Sequence, residues 1–489
     1  MRARSIPGFD TTRPLVKIPS RAPLVSWRGA AVALALALVL CWPMLLSGGF
    51  YTFPDTGIYL RGGDVIWTFM VDLVGLASTD APEAAGIGSL AGAAIEEAAA
   101  DGGQGPVVVR SIAYSAFSFA LFSTGGAVLL AIAQAAIAVF TVFAFLGPSS
   151  EYRMPVLLSG AVLVTLTTSL PWFSVYIMPD LFAALVILHA ALLIRRFDDL
   201  TRTQQVVMTA IAVFATASHY GNPPLALGLF ACALGWRAIT RTWSTAALVG
   251  AVVPLLLTPL ANLPLNAAVL DRPSTAPLRL PILLARSLED GPARWYLEDA
   301  CPEADLAVCV LFADGSPDNI TVFLWSDRGL KGLPRETVSR IQDEELEVLF
   351  QAFLAYPVQQ TTSILRNAAA QLPLLGLSDL QLTEALDDKF RTIPPEEPGR
   401  DAAAKRLASH AIAASTWGSL AILALAMILG WRRREDIEII AMLILGLLLN
   451  ALIFGGLSAP ADRYQSRVVW ILPVFAVIVM ARRRVMDHD

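Results

Sequence analysis

Charge is the scarcest commodity in this chain. Only 16% of its 489 residues are Asp, Glu, Lys or Arg, against 55% hydrophobic, whereas soluble domains carry about 25% charged residues. A soluble core of this length has no use for so much apolar surface, so a soluble fold is excluded. Basic clusters suited to nucleic acid are absent, and nucleic acid is not a partner. There are four cysteines and four histidines, with neither CxxC spacing nor a histidine near the closest cysteine pair, which disfavours a zinc site. No period indicates a repeat architecture, and the two halves show no resemblance of the inverted-repeat kind. Cys41 and Cys232 sit in apolar runs as packing residues. Cys301 and Cys309, in "CPEADLAVC", are either a disulfide, if that segment is outside the cytoplasm, or two buried thiols.

What the chain has instead is long apolar runs. A spanning helix needs about 20 mainly apolar residues. Ten runs qualify, at 29–48, 123–146, 154–171, 179–194, 206–220, 223–236, 243–263, 410–431, 435–456 and 468–481. The polar, Arg-rich segment 1–28 precedes the first, which reads as a retained signal-anchor helix with a cytoplasmic amino end. Threading the runs alternately puts "EYR", "RRFDDLTR", "WRAITRTW", "WRRRED" and "ARRRV" on one side, in accord with the positive-inside rule. The expected fold is therefore mainly α. It is a polytopic protein of a bacterial-type inner (plasma) membrane, with about ten transmembrane helices and both termini cytoplasmic.

Two large segments face the other side. Residues 49–122 form an outside loop between the first two of the seven helices in 29–263. It contains an amphipathic stretch "DVIWTFMVDLVGLA", an Ala/Gly-rich mobile loop, and "VVVRSIAYSAFSFALF", part of which is expected to lie along the surface as an interfacial helix. Residues 264–409 form a small mixed lobe, with a strand expected in "DNITVFLW" and a helix in "RETVSRIQDEELEVLFQAFLAYP". Three more helices and a short cytoplasmic tail fill 410–489.

Polar residues gather at the helix ends on the outside face: "FPDTGIY", "PWFSVYIMPD", "SHYGNPP", "LDRPSTAPLR" and "SAPADRYQSR". Each has a plain structural reading. Pro179 and Asp180 suit the first turn of a helix, and Pro54 and Asp55 suit a turn. "HYGNPP" is turn chemistry that does not require His219, and Tyr464 with Arg463 and Arg467 could anchor at the headgroups. Arginines on the face that the positive-inside rule disfavours, Arg463, Arg467, Arg110 and Arg272, are also what an anionic phosphate would need. Asp64 reads as the N-terminal cap of "VIWTFM". His189, in "LVILHAALLI", reads as a buried histidine bonded to a neighbouring helix.

The order of these features resembles the GT-C superfamily of membrane glycosyltransferases, in particular protein mannosyltransferases and lipid A aminoarabinose transferases. The resemblance rests on "PDTGIY" after the first helix, "MPD" at a later helix start and a late outside "RY". It implies a polyprenyl-phosphate-linked sugar donor, a glycan, lipid or protein acceptor, and an extracytoplasmic active site in contact with membrane lipid. By the resemblance, Asp55 matches the first-loop acid that serves as general base. Asp-Thr stands where many relatives carry two acids, so a divalent metal has no ligand motif and Asp64 is the nearest substitute. Sugar transfer also needs cations at the leaving phosphate and hydroxyl-orienting groups. Arg463, Arg467 and His219 suit the first need, and Asp180, Tyr59, Tyr220 and Asn222 the second. A transporter or flippase of lipid-linked saccharides would instead place ionisable groups at the bilayer midplane. A membrane acyltransferase would need a motif that neither His219 nor His410 provides.

Overall fold

The computed structural model describes residues 27–47, 51–73, 110–147, 149–270, 279–313, 315–380, 385–386, 392–393, 400–429 and 433–482. The basic amino-terminal segment, the Ala/Gly-rich loop and Arg272 lie outside the described residues. The chain is mainly helical; among the described residues the only strands are the two-residue antiparallel pair Ala385–Leu386 and Thr392–Ile393.

In chain order the helices are α1 (Trp27–Leu40), α2 (Met44–Ser47), α3 (Thr56–Leu73), α4 (Ile112–Phe143), α5 (Met154–Thr167), α6 (Leu170–Val175), α7 (Leu181–Arg195), α8 (Arg202–Ala217), α9 (Asn222–Ile239) and α10 (Thr245–Leu270). A second group follows: α11 (Ile282–Asp290), α12 (Pro292–Ala300), α13 (Ile320–Trp325), α14 (Arg335–Ala355) and α15 (Pro357–Gln371). The chain returns through α16 (Arg400–Ile428), α17 (Arg434–Asn450) with a π-helical extension Ala451–Gly456, α18 (Asp462–Val469) and α19 (Ile471–Ala481).

Among the described residues four helical stretches are long and apolar enough to cross a membrane: Ile112–Phe143, Ala402–Ile428, Arg434–Gly456 and Asp462–Ala481. Ala30–Leu46, Met154–Thr167, Leu181–Arg195 and Thr245–Leu260 are shorter apolar helices. The runs at 206–220 and 223–236 also fold as helix, in α8 and α9, but belong to neither group.

Helix α7 is the axis of the bundle. It is apolar on every side, and such a helix is stable only when surrounded. Every residue from Leu181 to Ile194 is buried, enclosed by α4, α8, α9, α17 and α18. His189, halfway along, bonds through Nε2 to the Gly250 carbonyl of α10 at 3.0 Å.

Several local expectations are corrected. Asp64 is not a cap: α3 begins eight residues earlier, at Thr56, and Asp64 is an exposed residue in its interior. The Pro54 and Asp55 turn starts this helix, because the Asp55 carbonyl accepts from the Ile58 and Tyr59 amides at 3.1 and 3.2 Å. Gly62 and Gly63 do not stop it, since they let α4 approach closely. The strand expected in "DNITVFLW" is helix α13, because the Asn319 side chain accepts from the Val322 amide at 2.8 Å and so caps a helical turn. The apolar run from 154 ends as a helix at Thr167, where the chain becomes extended before α6. Helix α4 breaks at Gly125 and Gly126. Gly126, at φ 68° and ψ −171°, occupies a conformation that only glycine adopts readily, so the segment before the break is separate from the apolar run after it.

The second group of helices has its own apolar core around Leu284, Leu288, Phe323, Val338, Ile341 and Val348. Buried Glu345 of α14 organises it by accepting from the Leu283 and Leu284 amides at the start of α11 (3.0 and 3.1 Å) and from Arg279 at 2.6 Å. Cys301 and Cys309 are joined in a disulfide in this lobe.

The close approach of α3 to α4 gives a test. A Cβ on Gly63 would lie 2.2 Å from the Ser115 carbonyl oxygen, which cannot move without moving α4, whereas one on Gly235 meets nothing within 4 Å. Gly63→Ala is expected to cost about 1–3 kcal/mol, as overpacking does, and to lower the unfolding midpoint in detergent. Gly235→Ala is expected to leave the midpoint unchanged or raise it slightly.

Candidate functional site

The site lies at the end of the bundle where α7 begins. The chain leaving α2 is strapped across the segment leading into α7: the Ile177 amide donates to the Tyr51 carbonyl at 3.1 Å, and Thr56 Oγ1 donates to the Ile177 carbonyl at 2.9 Å. The Phe53 amide closes the turn onto Thr56 Oγ1 at 2.8 Å. This strap holds Asp55 at the mouth of the bundle.

Asp55 Oδ1 accepts from Arg110 Nη2 at 2.7 Å, with both side chains about a quarter exposed (24% and 23%). Among the described residues Asp55 Oδ2 has no partner. Burial pulls the Arg110 guanidinium down, but the Asp55 carboxylate more than offsets this and holds it above its usual range. Tyr59, one turn into α3, packs edge-on against Tyr114 with ring centroids 5.0 Å apart. Burial pushes its phenol up, so it stays neutral and able to donate a hydrogen bond. Beneath it, the Tyr114 hydroxyl donates to Gln134, whose amide donates to the carbonyls of Ser174 and Tyr176 at 2.9 and 3.0 Å.

Asp180 stands at the N-terminus of α7, yet its side chain makes no cap. Its Oδ1 accepts instead from Arg467 Nη1 of α18 at 2.9 Å, in a pair that is 5% and 0% exposed. Arg467 Nη2 also donates to Asn450 Oδ1 at 3.2 Å, and its guanidinium lies 3.7 Å over the Phe454 ring. The Arg467 guanidinium is thus enclosed by protein.

Arg463, one turn earlier on α18, differs. Its guanidinium sits between Phe53 and Tyr464 at 4.7 and 4.8 Å and donates to the Tyr464 hydroxyl at 3.0 Å. Among the described residues no carboxylate pairs with its side chain; Asp379 accepts only from its backbone amide, at 3.3 Å. Tyr464 thus lines the same neighbourhood, its ring also packed against Phe454 with centroids 5.3 Å apart.

The turn between α8 and α9 brings His219 and Tyr220. His219 Nδ1 accepts from the Gly221 amide at 3.0 Å, and its ring packs on Phe454 with centroids 5.3 Å apart. Asn222 is buried and donates to the Ala215 carbonyl at 2.7 Å, which closes the turn; its Oδ1 is buried without a partner among the described residues. Tyr59 lies within electrostatic reach of Arg110, Asp55, Asp180 and Arg463, and Arg110 within reach of Tyr220. Asp55, Tyr59, Arg110, Asp180, His219, Tyr220, Arg463 and Arg467 therefore form one charged neighbourhood. The Cys301–Cys309 disulfide lies apart, beside a cavity of about 400 Å³ lined by Leu297, Glu298 and Phe312 among others.

Sequence reasoning missed Lys405. It enters from α16, donates to the Leu380 carbonyl at 2.7 Å and lies 5.7 and 5.3 Å over the rings of Tyr51 and Tyr176. Asn450, an isolated amide in "LLLNALIF", was the more legible signal, because a polar residue inside an apolar run needs a partner. Asp64 is nine residues from Asp55 along the chain, roughly 13 Å if helical, and cannot serve as a second acid beside it. Among the described residues there is no group of three His, Cys, Asp or Glu that could hold a metal ion.

Comparison with family models, curated proteins and solved structures finds no match in any of the three.

The enclosed ion pair makes a stability test. Removing one partner of a buried pair strands the other charge, at a cost of about 3–5 kcal/mol. Asp180→Ala is expected to lower the detergent unfolding midpoint sharply, and the double variant Asp180→Ala/Arg467→Met to be less destabilised than the sum of the single variants. Additive losses would show that the two side chains are not coupled.

Proposed function

We propose that the chain is an integral-membrane glycosyltransferase that moves a sugar from a polyprenyl-phosphate-linked donor to a glycan, lipid or protein acceptor on the extracytoplasmic face. In this reading it crosses a bacterial-type inner membrane about ten times, with both termini cytoplasmic. The observation that carries the proposal is the gathering of Asp55, Tyr59, Arg110, His219 and Arg463 at one rim. Arg195, Arg196, Arg237 and Arg482 lie at the opposite end, each paired with an acid. The ionisable residue at mid-helix, His189, is satisfied by a backbone carbonyl, which disfavours a carrier with charge at the midplane.

Each group then has a role. Asp55 is the general base, oriented by Arg110 through Oδ1 and taking the acceptor hydroxyl proton on Oδ2. As the acceptor oxygen bonds to the anomeric carbon, the bond from that carbon to the phosphate oxygen breaks and its electron pair leaves on the phosphate. Arg463, whose side chain pairs directly with no carboxylate among the described residues, stabilises the charge that develops there. Tyr59, Tyr220 and His219 orient sugar hydroxyls and phosphate. Asp180 and Arg467 act as positioning residues rather than ligands, because their pair is closed.

The experiment is release of polyprenyl phosphate by purified protein offered a panel of lipid-linked sugars. Removal of a general base is typically worth about 10²- to 10⁴-fold in rate, so Asp55→Asn is expected to lose release by that factor at an unchanged unfolding midpoint. Full activity in Asp55→Asn overturns the assignment of the base. Absence of release from every donor, with flux of a lipid-linked saccharide in liposomes, overturns the enzyme reading in favour of transport.

A further inference from the structure

The helical lobe carries an apolar face that its own core does not use. One side of α14 buries Val338, Ile341, Val348 and Ala352. Another side exposes Leu346, Phe350, Phe353 and Leu354, each between 41% and 67% accessible. These positions recur at helical spacing and so form one stripe. The stripe continues around the corner at Tyr356 and Pro357 onto α15, where Val358 and Leu365 are 68% and 57% exposed. Residues 348–365 contain no Asp, Glu, Lys or Arg. From Phe350 to Leu365 five large apolar side chains share an uncharged stretch, with Leu346 at its edge beside the exposed Glu347; water does not tolerate such a surface cheaply, and it marks an interaction site.

Its position says what covers it. Helix α15 is clamped to the π-helical end of a stretch apolar enough to cross a membrane, Arg434–Gly456. A Cβ on Gly455 would lie 2.3 Å from that of Gln371, and one on Gly456 would lie 3.0 Å from the Ile364 carbonyl oxygen, so the backbones meet there. Pro357, the first residue of α15, is seven residues from Ile364, about 10 Å along the helix. The corner is thus held about that distance from the point where the apolar helix ends, within reach of the interfacial layer that borders the ~30 Å hydrocarbon core. Leu448, two turns before that end, is 47% exposed, so α17 itself offers apolar surface on the way up to the contact. Tyr356 packs edge-on against Trp295 with centroids 5.4 Å apart, an aromatic pair at the corner of the type enriched at headgroup level.

We infer that the α14–α15 corner is a membrane-surface anchor, with Phe350, Phe353, Leu354 and Val358 seated in the leaflet nearest the candidate site. The anchor holds the lobe down over that site: α15 runs from the apolar corner to Gln371, whose side chain exchanges two hydrogen bonds with Ala461, immediately before α18 and Arg463. The inference does not depend on which reaction the site performs.

The test is site-directed spin labelling of the full chain in nanodiscs of phosphatidylethanolamine and phosphatidylglycerol. Cys41 and Cys232 are the free thiols and are replaced by serine, leaving the disulfide intact. Labels are placed at Leu354→Cys, at Val358→Cys and, as an aqueous reference, at Lys331→Cys, which is 58% exposed in the same lobe. Collision with lipid-soluble oxygen, relative to a water-soluble nickel chelate, is expected to be several-fold higher at 354 and 358 than at 331. Equal ratios at all three sites overturn the anchor. Shielding of 354 and 358 from both reagents also overturns it and assigns the face to a protein partner or a second copy of the chain.

Discussion

The buried ion pair between Asp180 and Arg467 is the contact on which the rest of the structure turns. The two residues are 287 positions apart, and the pair is almost wholly shielded from solvent. A charge in such a place is tolerated only with a partner and further hydrogen bonds, so each residue dictates where the other must stand. Arg467 extends this requirement to Asn450 through its second nitrogen and to Phe454 through its face, while Trp470 donates to its carbonyl at 2.9 Å. Phe454 in turn carries His219 on its ring and allows the Gly221 backbone to approach where a Cβ would collide at 2.1 Å. The arrangement of the α8–α9 turn, α17 and α18 around the start of α7 follows from one pair.

Apolar packing alone would leave α7 free to slide, since one leucine surface is much like another. Three contacts set its register against α17. Asp180 reaches Asn450 through Arg467; Ile187 occupies the space that Gly446 leaves, where a Cβ would lie 2.4 Å away; and Arg195 pairs with Glu438. Descending α7 and ascending α17 therefore meet at the top, middle and bottom, as antiparallel neighbours. The lower end is tied further by Arg196 to Glu435 and by Arg482 to Asp436. The arginines that read as topology markers are thus also structural partners. The acids of Arg196 and Arg482 were present in "WRRRED" but carried no signal of which arginine each would meet.

The parts legible in the sequence were those set by local pattern. Among the described residues each apolar run falls mainly on helix, with breaks at Gly125–Gly126 and at Thr168, and "RETVSRIQDEELEVLFQAFLAYP" is α14 up to Ala355, because helical spacing of apolar residues is a property of a short window. The common neighbourhood of "FPDTGIY", "MPD", "SHYGNPP" and "ADRYQSR" was legible too, since alternate threading sends them to one end, whereas most of "LDRPSTAPLR" lies outside the described residues. Two kinds of information were not. Where a segment had two local readings, a single capping side chain decided: Asn319 turned the β-branched "ITVFLW" into a helix, and the turn at Asp55 moved the start of α3 away from Asp64. Long-range pairing was invisible as well. Nothing in "MPD" indicates that its carboxylate ignores its own helix and reaches α18, and nothing near Lys405 indicates that it will lie over two tyrosines from the first 180 residues of the chain.

Arg463 and Arg467 show why pairing matters more than residue type. They lie one turn apart on the same helix, in the same motif, and among the described residues only the Arg467 side chain pairs with a carboxylate. Its charge is consumed locally and its guanidinium is sealed under Phe454. Arg463 has aromatic neighbours and a phenol instead, which hold a planar cation in place without neutralising it. The same division appears between the two carboxylates: Asp180 is closed, whereas Asp55 shares one oxygen with Arg110 and keeps the other open. One acid and one cation are thus spent on architecture, and a second acid and cation are held by that architecture with capacity left over. A phosphate that entered beside Arg463 would meet a positive field already fixed in direction, with a carboxylate oxygen in the same neighbourhood. That is the arrangement a transfer from a phosphate leaving group requires.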